Sequence, residues 1–181
     1  MATSRLKYLY LAYLSKPKPD RALYRVIQRQ NVRKILEIGI GSVARVQRMI
    51  GVAQRQTAGE VVRYVAIDLF EARPKEQAAS LSLKDAHRIF KATGAQVQLI
   101  PGDASAVQRS ANALQNMDLI IISASHDDAT LAGVWFYLPR MLHPKSVVYR
   151  ELTVEGATVP TLLPASQIEA LASAGRRHRA A

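Results

Sequence analysis

The sequence predicts an α/β fold: a mainly parallel sheet of five strands, with room for a sixth, helices on both faces and two helices ahead of it. Three observations carry this prediction. From Val32 to Glu151, short runs rich in Val and Ile alternate with helical stretches. Parallel strands need such crossovers, and crossovers are right-handed. Leu119–Ile122 is apolar at every position, as a strand covered on both faces is. Finally, 181 residues with 49% hydrophobic and 22% charged are enough to bury one core without staples.

The first helix places Leu6, Tyr10, Tyr13 and Leu14 on one face at helical spacing. Lys16-Pro17-Lys18-Pro19 breaks it, and Asp20 reads as the N-cap of a second helix ending near Arg29. The first strand, Val32–Ile38, ends in Gly39-Ile40-Gly41. A helix follows, with Val43, Val46, Met49, Ile50 and Val52 as its apolar positions, then Gln54–Glu60 as a loop. Val61–Ile67 is the second strand and ends at Asp68. Glu76–Thr93 is helical and closed by Gly94. Ala95–Ile100 is the third strand, followed by Pro101-Gly102-Asp103 and a helix over Ala104–Leu114. Leu119–Ile122 is the fourth strand, Asp127–Leu142 a helix and Ser146–Glu151 the fifth strand. Ser166 and Glu169 form a capping-box pattern for a last helix, Gln167–Ala174. A sixth strand fits only as a short edge around Thr158–Leu163, where Pro160 weakens it. The expected organisation is one domain, with a helical extension (1–31), a core (32–151) and a C-terminal helix with a basic tail (152–181).

Composition narrows the function classes. Cysteine is absent, which excludes disulfides, thiolate metal sites and a cysteine nucleophile, and suits a reducing compartment. No secretory h-region and no membrane-spanning apolar run are visible, so the expectation is a soluble, cytoplasmic protein without integral membrane association. The net charge of +11 favours anionic partners. Residues 1–34 hold nine cations (Arg5, Lys7, Lys16, Lys18, Arg21, Arg25, Arg29, Arg33, Lys34) against Asp20 alone, with Tyr8, Tyr10, Tyr13 and Tyr24 between them. This pattern leaves nucleic acid open as a partner, with the tyrosines as stacking platforms. A plainer reading is two amphipathic helices with solvated cations. Attachment of the first helix to a membrane surface is a third.

Open parallel sheets bind ligands at the carboxyl ends of their strands. The sequence places Gly39, Gly41, Asp68, Asp103 and Ser123 there. Gly39-Ile40-Gly41-Ser42-Val43-Ala44 fits G-x-G-x-x-A, a dinucleotide fingerprint. Glu37 argues against a pyrophosphate, which it would repel, and suits a cofactor carrying a cation. Asp68 can accept both hydroxyls of a ribose. A strand-to-helix turn with no ligand is the plainer reading.

The arrangement resembles the class I S-adenosylmethionine-dependent methyltransferases, whose fold is Rossmann-like. The resemblance covers roughly Val32–Glu151. It rests on Leu36-Glu37-Ile38-Gly39-Ile40-Gly41, Val65-Ala66-Ile67-Asp68-Leu69-Phe70, Ile100-Pro101-Gly102-Asp103-Ala104 and Met117-Asp118-Leu119-Ile120-Ile121-Ile122-Ser123, in that order. It implies S-adenosylmethionine as cofactor. The Gly39–Gly41 turn, with Glu37 before it, would contact the methionine part. Asp68 would hold the ribose and Leu69 would flank the adenine. Asp103 would accept the adenine amino group, with Ala104 nearby. Asp118–Asp128 followed by a helix is most similar to the catechol O-methyltransferase-like branch, where an acid ending strand four binds a metal. Ser123 stands in that place, so no metal is assigned. The implied activity is methyl transfer to an unknown acceptor. The alternative is a protein that kept the fold, lost catalysis and serves as a binding scaffold, with nucleic acid at its basic N-terminus. A homodimer is left open.

A general base helps where the methyl acceptor carries a proton. His126, just past strand four, is the candidate base and Asp127 lies beside it. The plainer reading makes Asp127 or Ser125 the cap of the next helix and leaves His126 in the loop. Ser123-Ala124-Ser125-His126 replaces the signature of amino-group methylation on bases.

Overall fold

The computed structural model describes residues 4–56, 59–74 and 81–180, apart from the side chains of 176–180. It contains a six-stranded sheet built from β1 (Lys34–Ile38), β2 (Arg63–Asp68), β3 (Gln96–Pro101), β4 (Leu119–Ile122), β5 (Val147–Val154) and β6 (Ala157–Leu163). The spatial order is β3-β2-β1-β4-β5-β6. All neighbours are parallel except β5 and β6. The order reverses beside β1, because β2 and β3 extend to one side of it and β4 and β5 to the other.

Side chains alternate across each strand, and two cores result. Ile35, Tyr64, Ala66, Leu119 and Ile121 face one layer, packing with Leu23, Tyr24 and Ile27 of α2 (Arg21–Arg29), Val46, Met49 and Ile50 of α3 (Val43–Gln56) and Phe90 of α4 (Leu83–Lys91). Leu36, Ile38, Val65, Ile67, Ile120 and Ile122 face the other. There they meet Ala106 and Val107 of α5 (Ala106–Ser110), Leu131, Val134 and Trp135 of α6 (Asp128–Met141) and Ile168 of α7 (Ala165–Ala180). The near-continuous apolar strands follow from this double coverage.

The register sets the level of the strand ends. Ile38 pairs with Ile67 of β2 and Ile122 of β4, and Asp68 pairs with Pro101 of β3. Gly39, Asp68, Ser123 and the turn after Pro101 therefore emerge at one rim.

The structure alters several sequence expectations. β5 runs on to Val154 and forms a hairpin with a seven-residue β6. The joint is Glu155-Gly156, with φ of 49° and 75°, as a tight two-residue hairpin turn requires. Pro160 is accommodated because β6 is an edge strand. α7 starts at Ala165, so Ser166 lies inside its first turn. α3 continues to Gln56, taking in residues expected to be a loop. α4 is capped by Ser82, which accepts from Asp85 N–H at 3.0 Å. The earlier start expected at Glu76 falls partly outside the described residues. Asp20 does occupy the N-cap position of α2, but its side chain accepts no capping bond. It lies buried in a 3-10 turn, Lys18–Asp20, with no side-chain bond to the helix it precedes.

The N-terminal helix also differs. α1 (Arg5–Leu9) continues into a wider turn over Tyr10–Leu14. Tyr8, Leu11 and Ala12 are buried, whereas Leu6, Tyr10, Tyr13 and Leu14 are exposed. The face expected to pack inward thus points to solvent, because a second apolar set on the same helix takes the core.

Candidate functional site

Gly39 leaves β1 at φ +81°, a conformation that glycine adopts at no steric cost. Its N–H donates to Ile67 O (2.8 Å), and Ser123 N–H donates to Ile38 O (2.8 Å). A Cβ at Gly39 would lie 2.7 Å from Ser123 Cβ and 2.9 Å from His126 Nε2. Backbone and neighbours therefore both demand glycine. His126 Nε2 is buried against this turn with no hydrogen-bond partner. Burial lowers the pKa of His126, against the opposing pull of Asp68, Asp103 and Asp127, and so favours the neutral ring.

Asp68 ends β2 and is buried. Its Oδ2 accepts from Ile40 N–H (2.6 Å) and its Oδ1 from Phe70 N–H (2.8 Å). Arg73 adds two more bonds, Nε to Oδ1 (2.7 Å) and Nη2 to Oδ2 (2.5 Å). Arg73 Nη2 also donates to Ile40 O (2.8 Å). All four acceptor sites of the carboxylate are filled. The bond to Phe70 N–H accompanies a φ of +48° at that buried aromatic, a strained conformation of the kind that collects at functional sites.

Asp103, at the next strand end, is exposed. Its Oδ1 accepts from Ser105 N–H (2.9 Å) and Oγ–H (2.5 Å). The Ser105 hydroxyl is the main cause of its lowered pKa. Ala104 is fully buried in the core of the second layer, and Leu69 is half-buried beside Asp68. Ser123 is buried, and its Oγ accepts from Ser125 N–H (3.3 Å). Asp127 N-caps α6 by accepting from Thr130 N–H (2.8 Å). The Thr130 side chain first, and then this N–H, lower its pKa.

Glu37 does not present its charge to the rim. Its strand position puts it on the same face as Ile35, beneath α3, where it is fully buried. Arg45 of α3 supplies the counter-charge, with Nη2 donating to Glu37 Oε1 at 2.6 Å. Tyr64 O–H donates to Glu37 Oε2 at 2.8 Å and Gly41 N–H to Oε1 at 3.3 Å. Arg45 Nη1 donates to Glu151 Oε1, and Asp20 Oδ1 lies 3.9 Å from the same nitrogen. Burial opposes a charged Arg45, but Glu37 and Glu151 outweigh it and raise the pKa. A Cβ on Gly41 would lie 2.5 Å from Arg45 Nη2. The second glycine therefore makes room for an internal arginine. The cation that Glu37 suits comes from the chain itself.

Solved structures share this architecture. The O-methyltransferase TomG from Streptomyces achromogenes, in complex with S-adenosylmethionine, aligns over 93% of this chain and 69% of its own, with a TM-score of 0.56 and 14% identity. The O-methyltransferase from Bacillus cereus, in complex with S-adenosylhomocysteine, aligns over 97% and 78%, with a TM-score of 0.56 and 14% identity. Cofactor-bound Rv0187 from MTB aligns over 96% and 74%, with a TM-score of 0.55 and 17% identity. The chain shares its fold with these methyltransferases. No family model matches the chain, and no curated protein matches it in sequence.

On this methyltransferase fold, the rim brings together Gly39, Asp68, Ser123 and His126, with Asp103 and Leu69 alongside. It leaves Glu37 and Ala104 inside and turns Asp127 to capping. Two residues escaped sequence reasoning. Arg45 sits on an otherwise apolar helix face, and a lone cation among Val46, Met49 and Ile50 is the signal that could have revealed it. Arg73 follows Asp68 by five positions with no pattern to mark it.

Proposed function

We propose that the chain binds S-adenosylmethionine at the carboxyl ends of β1, β2 and β3 and transfers its methyl group to an acceptor. The observation that carries this reading is the convergence, at one rim beside the reversal of strand order, of the Gly39 turn and two carboxylates, Asp68 and Asp103. Ligands of open α/β sheets bind at that place. The donor set fits the cofactor's parts. Asp68 would hold the ribose hydroxyls once Arg73 moves off it. Asp103, exposed and with Oδ2 outside its bonds to Ser105, would accept the adenine amino group, and Leu69 would flank the ring. The Gly39–Gly41 backbone and Ser123 would border the methionine part. The bound cofactor would supply an electrophilic methyl on sulfur. His126, neutral and with Nε2 unpartnered against Gly39, would take the acceptor's proton as its nucleophilic atom gains the methyl.

A specific observation favours the second reading, a scaffold that kept the fold without turnover. Asp68 already has four hydrogen bonds, and Ser123 and His126 pack directly over Gly39. One experiment separates the two. Calorimetry with S-adenosylmethionine and S-adenosylhomocysteine, and NADH as control, should give micromolar binding of the first pair alone. Absence of binding to all three makes the scaffold the favoured reading and directs attention to the basic N-terminus and nucleic acid.

A further inference from the structure

The N-terminal helix has two apolar faces, and only one is used. Tyr8, Leu11 and Ala12 enter the core. Leu6 and Leu9 of α1 and Tyr10, Tyr13 and Leu14 of the wider turn form a second apolar set that stays outside the core. All five are exposed, Leu6 at 81% and Leu14 at 68%. Arg5 and Lys7 lie beside Leu6 on α1, and Lys16 and Lys18 follow the wider turn. All four are exposed. Among the described residues none of the four has an acidic partner.

We propose that this stripe docks on an anionic lipid surface, with the helix lying in the plane of the interface. The leucines enter the acyl boundary and the two tyrosines sit at headgroup level, where amphipathic rings are favoured. The flanking cations meet the lipid phosphates. A leucine-and-tyrosine face with a cationic border is the pattern of an interfacial helix. No helix of the described residues is long and apolar enough to cross a membrane, so the attachment is peripheral. Charge decides against a second copy of the chain as occupant. Two such stripes would bring two sets of unpaired cations together in a protein of net charge +11, whereas an anionic bilayer attracts them. Nucleic acid offers no apolar phase for Leu6, Leu9 and Leu14. This proposal is independent of methyl transfer.

The test is co-sedimentation of the full chain with vesicles of phosphatidylcholine alone, or with roughly one third phosphatidylglycerol. The chain should bind the anionic vesicles at least about tenfold more tightly than the neutral ones, and added salt should weaken the binding. Leu6→Glu with Leu14→Glu should reduce anionic-vesicle binding at least about tenfold. Its circular dichroism and Tm should match the parent, because both side chains lie outside the core. No sedimentation with either vesicle overturns the proposal, and so does equal sedimentation of the double variant. A dimer in sedimentation equilibrium that the double variant dissolves assigns the stripe to a second copy. Binding of single-stranded RNA that Tyr10→Ala with Tyr13→Ala abolishes, without lipid binding, assigns it to nucleic acid.

Discussion

Arg73 covers Asp68 with a bidentate pair, Nε to Oδ1 at 2.7 Å and Nη2 to Oδ2 at 2.5 Å. The same guanidinium reaches back to Ile40 O, linking the end of β2 to the glycine turn after β1. The ribose proposed for Asp68 would have to displace it, and the apparent affinity of the site would then include the loss of these bonds.

Removing the competitor should therefore help binding. Arg73→Ala is expected to raise S-adenosylmethionine affinity at least about threefold in calorimetry, since the population of the competent site rises. A weaker affinity in a folded variant would assign Arg73 to the bound state.

Asp68→Ala should act in the opposite direction. Loss of a charged hydrogen-bond acceptor costs about 1.5–3 kcal/mol, read as a weaker Kd for S-adenosylmethionine. Unchanged affinity would remove Asp68 from the ribose assignment.

Arg45 neutralises Glu37 in the core. Arg45→Met leaves two buried carboxylates, Glu37 and Glu151, without their cation, and breaking such a pair typically destabilises by about 3–5 kcal/mol. Urea unfolding at pH 7 measures this. Glu37→Gln combined with Arg45→Met should recover part of the loss, because one of the two uncompensated carboxylates is then gone while Glu151 remains.

Gly39→Ala introduces a Cβ at positive φ, 2.7 Å from Ser123 Cβ. Such a substitution destabilises by more than about 1 kcal/mol. Gly39→Ala with Ser123→Gly should recover only the Ser123 share of the clash, leaving the His126 contact and the backbone strain visible in the Tm.

The histidine at the rim sets a pH dependence. The pKa of His126 is below its unfolded value of 6.5, so the unfolded chain binds the proton more tightly. Its contribution to stability is complete above pH 6.5 and is lost as pH falls through the lower, folded pKa. Urea midpoints should drop between pH 7 and pH 5, and the drop should be smaller in His126→Gln. Proton NMR of the ring should show a midpoint below 6.5. A midpoint above 6.5 would remove the buried, neutral base from the rim.

Much of the fold was legible in the sequence because its signals are local. The apolar run Leu119–Ile122, the glycine pair after Ile38 and the acid after Ile67 each depend on a few neighbouring residues. The missed hairpin was legible in principle too, since Glu155-Gly156 lies between two alternating runs. Pro160 obscured it, because proline is excluded from central strands and admitted at edges, and edge position is a property of the sheet.

From the sequence alone came the alternation of strands and helices, the placing of Gly39, Asp68 and Asp103 after strands, and the basic N-terminus. Periodicity, turn chemistry and charge are written in contiguous residues. Only the tertiary structure decided which groups neutralise which. Glu37 and Glu151 meet Arg45 from two strands, and Tyr64 of a third meets Glu37, because sheet order and register set them on one face. Tertiary packing also chose the inward face of the first helix. Both of its faces are apolar, and it is Tyr8, Leu11 and Ala12 that join the core shared with α2 and α3.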